Sequence, residues 1–223
     1  HEGAVQSGGL TPELRCNRAL GLHMFEHRPH AAEAEYLQTL RDKPSCATAH
    51  VRMALMYATL GDLDRALQSI QDGYAVDPLL PILPSTDVNV RVWRGEYETA
   101  IAIGGSAVDL HPYLLISRAN YAQALEISGR PEDALRQYQL ASLISGDLPW
   151  VRAVEATCLA RLARATEARA ILAELEHRRG SEYCDALYMA VLRESLGERD
   201  DALDELERAL DENSAFLHSL DVD

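Results

Sequence analysis

Small and large apolar residues recur along the chain with a period of 34 residues. A small residue stands at one fixed point of each period: Ala32, Ala66, Ala100, Ala134, Ala168 and Ala202. A large side chain follows four residues later in five of the six periods, at Tyr36, Ile70, Tyr138, Leu172 and Leu206. Residues four apart share one face of an α-helix, so each period is predicted to contain a helix whose alanine approaches a neighbouring helix closely.

Turn residues divide each period into two helices. A glycine, suited to the positive φ of a helix end, stands five residues before the alanine in four periods, at Gly61, Gly95, Gly129 and Gly197. A proline, which stops a helix, stands twelve residues after it in three periods, at Pro44, Pro78 and Pro112. The pattern predicts six hairpins, with helices at 13–26 and 30–42, 47–60 and 63–76, 85–94 and 97–110, 115–128 and 131–144, 149–162 and 165–178, and 183–196 and 199–211.

With this period the chain resembles the tetratricopeptide repeat (TPR) family, most clearly in the segment AHVRMALMYATLGDLDRALQSIQDGYAVDP at Ala49–Pro78. The resemblance implies an all-α, right-handed superhelical solenoid of six helix-turn-helix repeats. The expected units cover 13–216 and are 13–46, 47–80, 81–114, 115–148, 149–182 and 183–216. Residues 1–12 read as a linker or vector remnant, and 217–223 as an acidic tail that leads to a missing segment.

The third unit departs most from the pattern. Pro84 is expected to delay its first helix, with Ser85 as the N-cap. Asp87 and Arg91 replace apolar residues one helical turn apart, which predicts an ion pair at the helix interface and a specificity or hinge site. Gly104–Gly105 replaces the large side chain, so a looser hairpin is expected. The alternative is that these sequence changes have no function and are tolerated because the neighbouring repeats still stack.

The chain is strongly acidic, with 21 basic and 35 acidic residues and a net charge of −14. Such a surface argues against direct binding of nucleic acid. Residues 198–223 hold ten acids and two bases, which indicates either a solvated capping helix or a hook for a basic partner. No run of 18 apolar residues occurs, so membrane insertion is not expected.

Cysteine usage bears on the compartment. The four cysteines show no CxxC spacing, which favours reduced structural thiols and a cytoplasmic location, although a periplasmic one stays open. The chain begins with His1 instead of Met, so we expect a fragment of a longer protein.

Candidate chemistry is sparse. His23, His27 and His30 cluster in the first unit, but no cysteine or carboxylate completes a metal-ligand set at suitable spacing. The HEXXH, GxGxxG, GxxxxGK and GxSxG motifs are missing. We therefore expect no metal, no cofactor and no enzymatic activity, and recognition of a partner by the protein surface.

In the TPR family the first helix of each hairpin lines a concave groove that takes an extended peptide or a helix. Carried onto this chain, the resemblance implies partner-binding residues at Asn17, Met24, Leu55, Asn89, Trp93, Gln123, Glu126, Trp150, Thr157 and Arg161. Side-chain amides would bind a peptide backbone, and the tryptophans would act as anchors or as packing residues between repeats. The groove lacks the lysines of TPR domains that grip a C-terminal carboxylate, which argues against that class of partner.

The last unit, residues 183–223, resembles the end of TPR regions in bacterial signalling proteins that carry a winged-helix or nucleotide-cyclase domain. This resemblance implies a protein-interaction scaffold that serves as the sensory or assembly module of a larger bacterial regulator. Two alternatives stay open: a small-molecule sensor with its ligand near Asp87, Arg91 and Trp93, and a homodimerisation module.

Overall fold

A computed structural model describes residues 10–212 and residue 214. This part of the chain holds twelve helices and no strand. The helices are α1 (Pro12–Met24), α2 (Pro29–Asp42), α3 (Ala47–Thr59), α4 (Leu63–Val76), α5 (Ile82–Trp93), α6 (Tyr97–Leu110), α7 (Leu115–Ile127), α8 (Pro131–Ser145), α9 (Pro149–Arg161), α10 (Ala165–Arg178), α11 (Ala186–Ser195) and α12 (Arg199–Asp211).

Consecutive helices pair as six antiparallel hairpins, each with an odd-numbered first helix and an even-numbered second helix. The first helices form one layer, with contacts between α1 and α3, α3 and α5, α5 and α7, and α9 and α11. The second helices α2, α4, α6 and α8 each also contact the first helix of the next hairpin. The predicted all-α solenoid of helix-turn-helix repeats is therefore confirmed.

The alanine column lies in the core between the helices of each hairpin. Ala32, Ala66, Ala100, Ala134 and Ala168 have no accessible surface, and Ala202 is buried as well. A larger side chain at these points would push the paired helices apart, because the interior is close-packed. The close approach expected from the 34-residue period is present at every predicted alanine.

The helix boundaries follow local capping chemistry. Pro12 occupies the first turn of α1, and the Thr11 hydroxyl accepts a hydrogen bond from the Leu14 amide at 3.3 Å. The turn between α3 and α4 places Gly61 at a φ of 75°. His27 and Ala163 occupy the equivalent turns at φ values of 50° and 60°, a backbone conformation that L-residues adopt only with strain.

The predicted start of the first helix in the third unit is wrong. Helix α5 begins at Ile82, and Ser85 is its fourth residue and not its N-cap. Pro84 is accepted because the first-turn amides of a helix have no intrahelical partner. Ser85 is buried, with its Oγ 2.5 Å from the Oγ of Ser117 in α7. The first helix of the last unit, in contrast, starts later than the predicted residue 183, at Ala186, where the Asp185 side chain caps the Leu187 amide.

The expected loosening of the third hairpin stays a prediction, although the space at Gly104 itself is filled. Gly104 is buried, and the ring of Tyr121 from α7 occupies the space where its side chain would stand. The volume missing from the third unit is thus supplied by the fourth.

The predicted linker and tail lie largely outside the described residues, and the unit boundaries stay an interpretation. Among the described helices, none is long and apolar enough to cross a membrane.

Candidate functional site

One repeat position forms a line of side chains across the layer of first helices. We call it the central column: Gly21, Leu55, Asn89, Gln123, Thr157 and Val191, each 34 residues from the next. Leu55, Asn89 and Gln123 are half-buried, and Val191 is exposed. The opposite side of each first helix packs against its paired second helix. The central column therefore runs along the face of the solenoid that the first helices line.

Two amides stand side by side in the middle of this column. Asn89 on α5 and Gln123 on α7 hold equivalent positions on first helices that contact each other. The Asn89 Oδ1 is buried and accepts no hydrogen bond from the described residues. Gln123 likewise makes no side-chain hydrogen bond within that part of the chain. An unsatisfied buried acceptor costs about 1–3 kcal/mol, and a ligand's donor would reach Asn89 Oδ1 only after the side chain turned, because that atom has no accessible surface.

Charged residues beside the column are paired across neighbouring first helices. The Arg52 guanidinium donates to Asn17 Oδ1 at 2.9 Å, joining α3 to α1. The Arg161 guanidinium donates to Glu126 Oε1 at 3.0 Å, joining α9 to α7. The Tyr138 hydroxyl donates to the other oxygen of Glu126 at 3.2 Å. Three predicted binding residues, Asn17, Glu126 and Arg161, thus link neighbouring first helices, and the Asn17 amide leaves the positive charge of Arg52 uncompensated.

Aromatic side chains flank the same face. Trp150 on α9 packs against Tyr188 on α11, with ring centroids 6.1 Å apart and planes tilted by 35°. Trp93 is half-buried against apolar clusters of the second, third and fourth hairpins. Both tryptophans pack between repeats and keep part of their surface accessible. Met24 is half-buried at the first hairpin.

No protein-family model and no curated protein matches the chain. Solved structures do match its fold. PilW, a type IV pilus biogenesis factor, aligns with a TM-score of 0.67 at 15% identity, covering 96% of this chain and 99% of PilW. TTC0263, a TPR protein of Thermus thermophilus, aligns with a TM-score of 0.63 at 20% identity, covering 79% of this chain and 95% of its own. YrrB, a TPR protein with an unusual peptide-binding site, aligns with a TM-score of 0.50 at 18% identity, covering 83% of this chain and 96% of YrrB. The chain has the TPR fold.

Within this TPR array, Asp87 and Arg91 form the predicted ion pair. Arg91 Nε donates to Asp87 Oδ1 at 2.8 Å, and Arg91 Nη1 donates to Glu96 Oε2 at 2.5 Å. Asp87 is only 3% exposed. Burial raises the pKa of Asp87 above its usual range, against the opposing effects of Arg91 and of a hydrogen bond from Tyr74. Asp87 therefore belongs to the packing between α4 and α5, whereas the Arg91 side chain keeps 23% of its surface exposed; their role as a specificity or hinge site stays a prediction.

Thr157 interrupts the central column. Its side chain is buried, and its hydroxyl donates to the Ala153 carbonyl in the same helix at 2.8 Å. The polar side chains of the central column without a hydrogen-bond partner in the described chain are therefore Asn89 and Gln123.

Sequence reasoning missed two residues that shape the groove. Tyr188 packs against Trp150. Its only signal in the sequence is that an aromatic residue follows Leu187 in the first helix of the sixth hairpin. Asn120 donates to the Ser85 carbonyl at 3.0 Å and ties α7 to α5 beside the amide pair. Nothing in the repeat pattern marks Asn120 as a contact between helices.

The histidines and cysteines are dispersed. His23 is buried, with its Nε2 2.9 Å from Thr59 Oγ1, whereas His27 and His30 are exposed. Among the described residues, no three His, Cys, Asp or Glu side chains gather as metal ligands would. All four cysteines are buried free thiols.

Proposed function

We propose that this TPR chain is a non-catalytic protein-interaction module that binds a peptide or a helix along its concave groove. One observation carries the proposal: the adjacent amides of Asn89 and Gln123 lack hydrogen-bond partners among the described residues. Each amide offers both a donor and an acceptor, which is the pattern that a peptide bond complements.

The groove favours a ligand with apolar side chains and few charges. Arg161 and Glu126 compensate each other's charge, whereas Arg52 donates to the neutral amide of Asn17. Leu55 and Trp93 present partly accessible apolar surface near the amide pair. Burial of such side chains supplies most of the free energy of peptide binding, and backbone hydrogen bonds set the register. The similarity to YrrB, a TPR protein with a peptide-binding site, supports the same class of ligand.

Selection of peptides from a random library tests this proposal. Peptides captured by the chain would be measured by fluorescence anisotropy against the Asn89→Ala, Gln123→Ala double variant. Loss of these contacts is expected to weaken binding by about tenfold or more.

The chain offers a matched control for the amides. Gln71 and Gln139 are exposed amides at one equivalent position of the second helices α4 and α8. The Gln71→Ala, Gln139→Ala variant is expected to bind the selected peptides as the native chain does. Equal affinity of all three proteins would contradict groove recognition.

A second, more specific proposal concerns the larger protein to which the chain would belong, and it rests on the resemblance of the last unit alone. We infer that the chain is the sensory or assembly module of a larger bacterial regulator. The sequence of the parent gene tests this directly, because a winged-helix or cyclase domain in the same reading frame is expected. The expectations on self-association and nucleic acid stay predictions.

A further inference from the structure

Helix α12 carries a leucine stripe on its surface. Leu203, Leu206 and Leu210 stand at positions i, i+3 and i+7 and so share one face of the helix. Leu203 is 59% exposed and Leu210 is 65% exposed, whereas Leu206 is half-buried. We call these three residues the terminal leucine face.

The same positions are covered in α8, whereas in α10 they hold Arg169 and Glu176, which are exposed and form salt bridges with the last hairpin. Leu135 and Ser142 of α8 stand 68 residues before Leu203 and Leu210, and they are 3% and 4% exposed. Helix α9, the first helix of the next hairpin, packs against this side of α8. Ile70 of α4, which corresponds to Leu206, packs in the same way against Leu83 of α5. The terminal leucine face is therefore a surface against which one more helix could pack.

A row of acids runs beside the leucines. Asp200, Asp204, Glu207 and Asp211 are exposed and lie on the adjoining side of α12; we call them the acidic ridge. None of the four forms a salt bridge with any residue that the structure describes. Other acids of the same hairpin are paired: Glu198 and Asp201 with Arg193, and Glu205 with Arg179.

We propose that the terminal leucine face and the acidic ridge bind a cationic amphipathic helix of a partner protein. Its apolar stripe would cover the three leucines, as a following first helix covers α8, and its lysines or arginines would face the ridge. Charge complementarity favours such a partner, and unpaired like charges would repel an acidic helix. The chain's own residues 215–223 contain Asp221 and Asp223 and no lysine or arginine, so they fit the ridge poorly.

Two synthetic helical peptides of about 18 residues, or five turns, serve as probes. They share one leucine stripe and differ only in flanking lysines or flanking glutamates. Fluorescence anisotropy with the full chain should detect binding of the lysine peptide alone, with an affinity that falls as salt rises. The Leu203→Gln, Leu210→Gln variant should bind it about tenfold more weakly or worse, because it removes the exposed apolar contacts.

Matched variants test whether binding requires the terminal leucine face and the acidic ridge or only exposed leucines elsewhere on the surface. Leu140 and Leu143 of α8 are 43% and 76% exposed, and their double glutamine variant should bind like the native chain. A variant with Asp200→Asn, Asp204→Asn, Glu207→Gln and Asp211→Asn should lose about tenfold in affinity or more. All these positions are exposed, and circular dichroism would verify the helical content of each variant.

Three outcomes would overturn the proposal. Equal binding of the lysine peptide by the native chain and the Leu203→Gln, Leu210→Gln variant would show that the face is not the site. Binding about tenfold tighter after removal of residues 215–223 would make that segment the occupant of the face. A dimer that dissociates in the leucine variant would make a second copy the occupant.

Discussion

The ring of Tyr121 in α7 fills the space that a side chain on Gly104 of α6 would need. A Cβ built on Gly104 would lie 2.7 Å from Tyr121 Cδ2 and 3.0 Å from Tyr121 Cβ. Both atoms are near the root of a large side chain, which cannot swing away without moving the helix. The two residues therefore join the third hairpin to the fourth, beneath the amide pair of the groove.

Gly104→Ala is expected to lower the free energy of unfolding by about 1–2 kcal/mol, because overpacking outweighs the gain in helix propensity. Gly105→Ala is the matched control, since the nearest atom to its Cβ would be Tyr121 Oη at 3.7 Å. This change should raise the free energy of unfolding by about 0.5–1 kcal/mol through helix propensity alone. Urea unfolding followed by circular dichroism measures both.

A double-mutant cycle assigns the penalty at Gly104 to its partner. In a Tyr121→Ala background the obstructing ring is gone, so Gly104→Ala should stabilise the chain by about 1 kcal/mol. Destabilisation of similar size in both backgrounds would contradict the assignment to Tyr121.

Ala163 stands in the turn between α9 and α10 at a φ of 60°, where most units have glycine. Ala163→Gly is expected to raise the free energy of unfolding by about 1 kcal/mol, because glycine adopts this conformation without strain. Ala170→Gly, at an exposed position inside α10, should lower it by about 0.5–1 kcal/mol. Thermal unfolding measures both changes. If both substitutions raised or both lowered the free energy of unfolding, the explanation from the backbone conformation would be refuted.

Glu205 is a buried carboxylate that holds the last two hairpins together. It is 5% exposed and accepts two hydrogen bonds from Arg179, at 2.7 and 2.9 Å. Glu205→Ala should destabilise the chain by about 3 kcal/mol, because it leaves a largely buried guanidinium without its partner.

Glu207→Ala on the same helix provides the comparison for Glu205. Glu207 is exposed and makes no salt bridge with the described residues, so this substitution should change stability by about 0.5 kcal/mol or less. Urea unfolding curves of both variants measure the difference. Effects of equal size would mean that the buried pair contributes nothing specific.

The cysteines are expected to resist alkylation in the folded chain. Burial, with a smaller contribution from Cys46, raises the pKa of the Cys16 thiol to about 11. Burial raises the pKa of the Cys158 thiol to about 12. A raised thiol pKa keeps the group protonated, so the thiolate fractions at pH 8 are roughly one in a thousand and one in ten thousand.

Intact mass after treatment with iodoacetamide measures this resistance. The native chain should stay unlabelled at pH 8 and label at all four cysteines in urea. Rapid labelling of the folded chain would contradict the burial of the thiols.

The sequence predicts most of the fold because the 34-residue period reports it directly. The alanine column follows from one rule that holds in every unit, the close approach of the two paired helices. The predicted start of α5 is wrong because proline at position 84 suggests a helix break, whereas the first turn of a helix accepts proline. The filling of the space at Gly104 could not be predicted, because Tyr121, which fills it, belongs to the following repeat.

The site is less predictable than the fold. The family resemblance points to the groove residues, and the structure places Asn89 and Gln123 at equivalent positions of two first helices that contact each other. Whether an amide is already satisfied depends on neighbours from other repeats. Asn17 accepts a hydrogen bond from Arg52, and the Thr157 hydroxyl donates one within its own helix. Asn89 Oδ1, in contrast, has no hydrogen-bond partner in the described chain. No single-repeat pattern carries that distinction.

Side-chain amide resonances test groove recognition most directly. A ¹⁵N-labelled chain would be titrated with a peptide selected by the native protein, and the NH₂ signals of asparagine and glutamine would be followed. We expect the signals of Asn89 and Gln123 to shift with one saturation curve, while those of Gln71 and Gln139 stay in place. Shifts confined to the second helices, with Asn89 and Gln123 unmoved at saturation, would contradict the account.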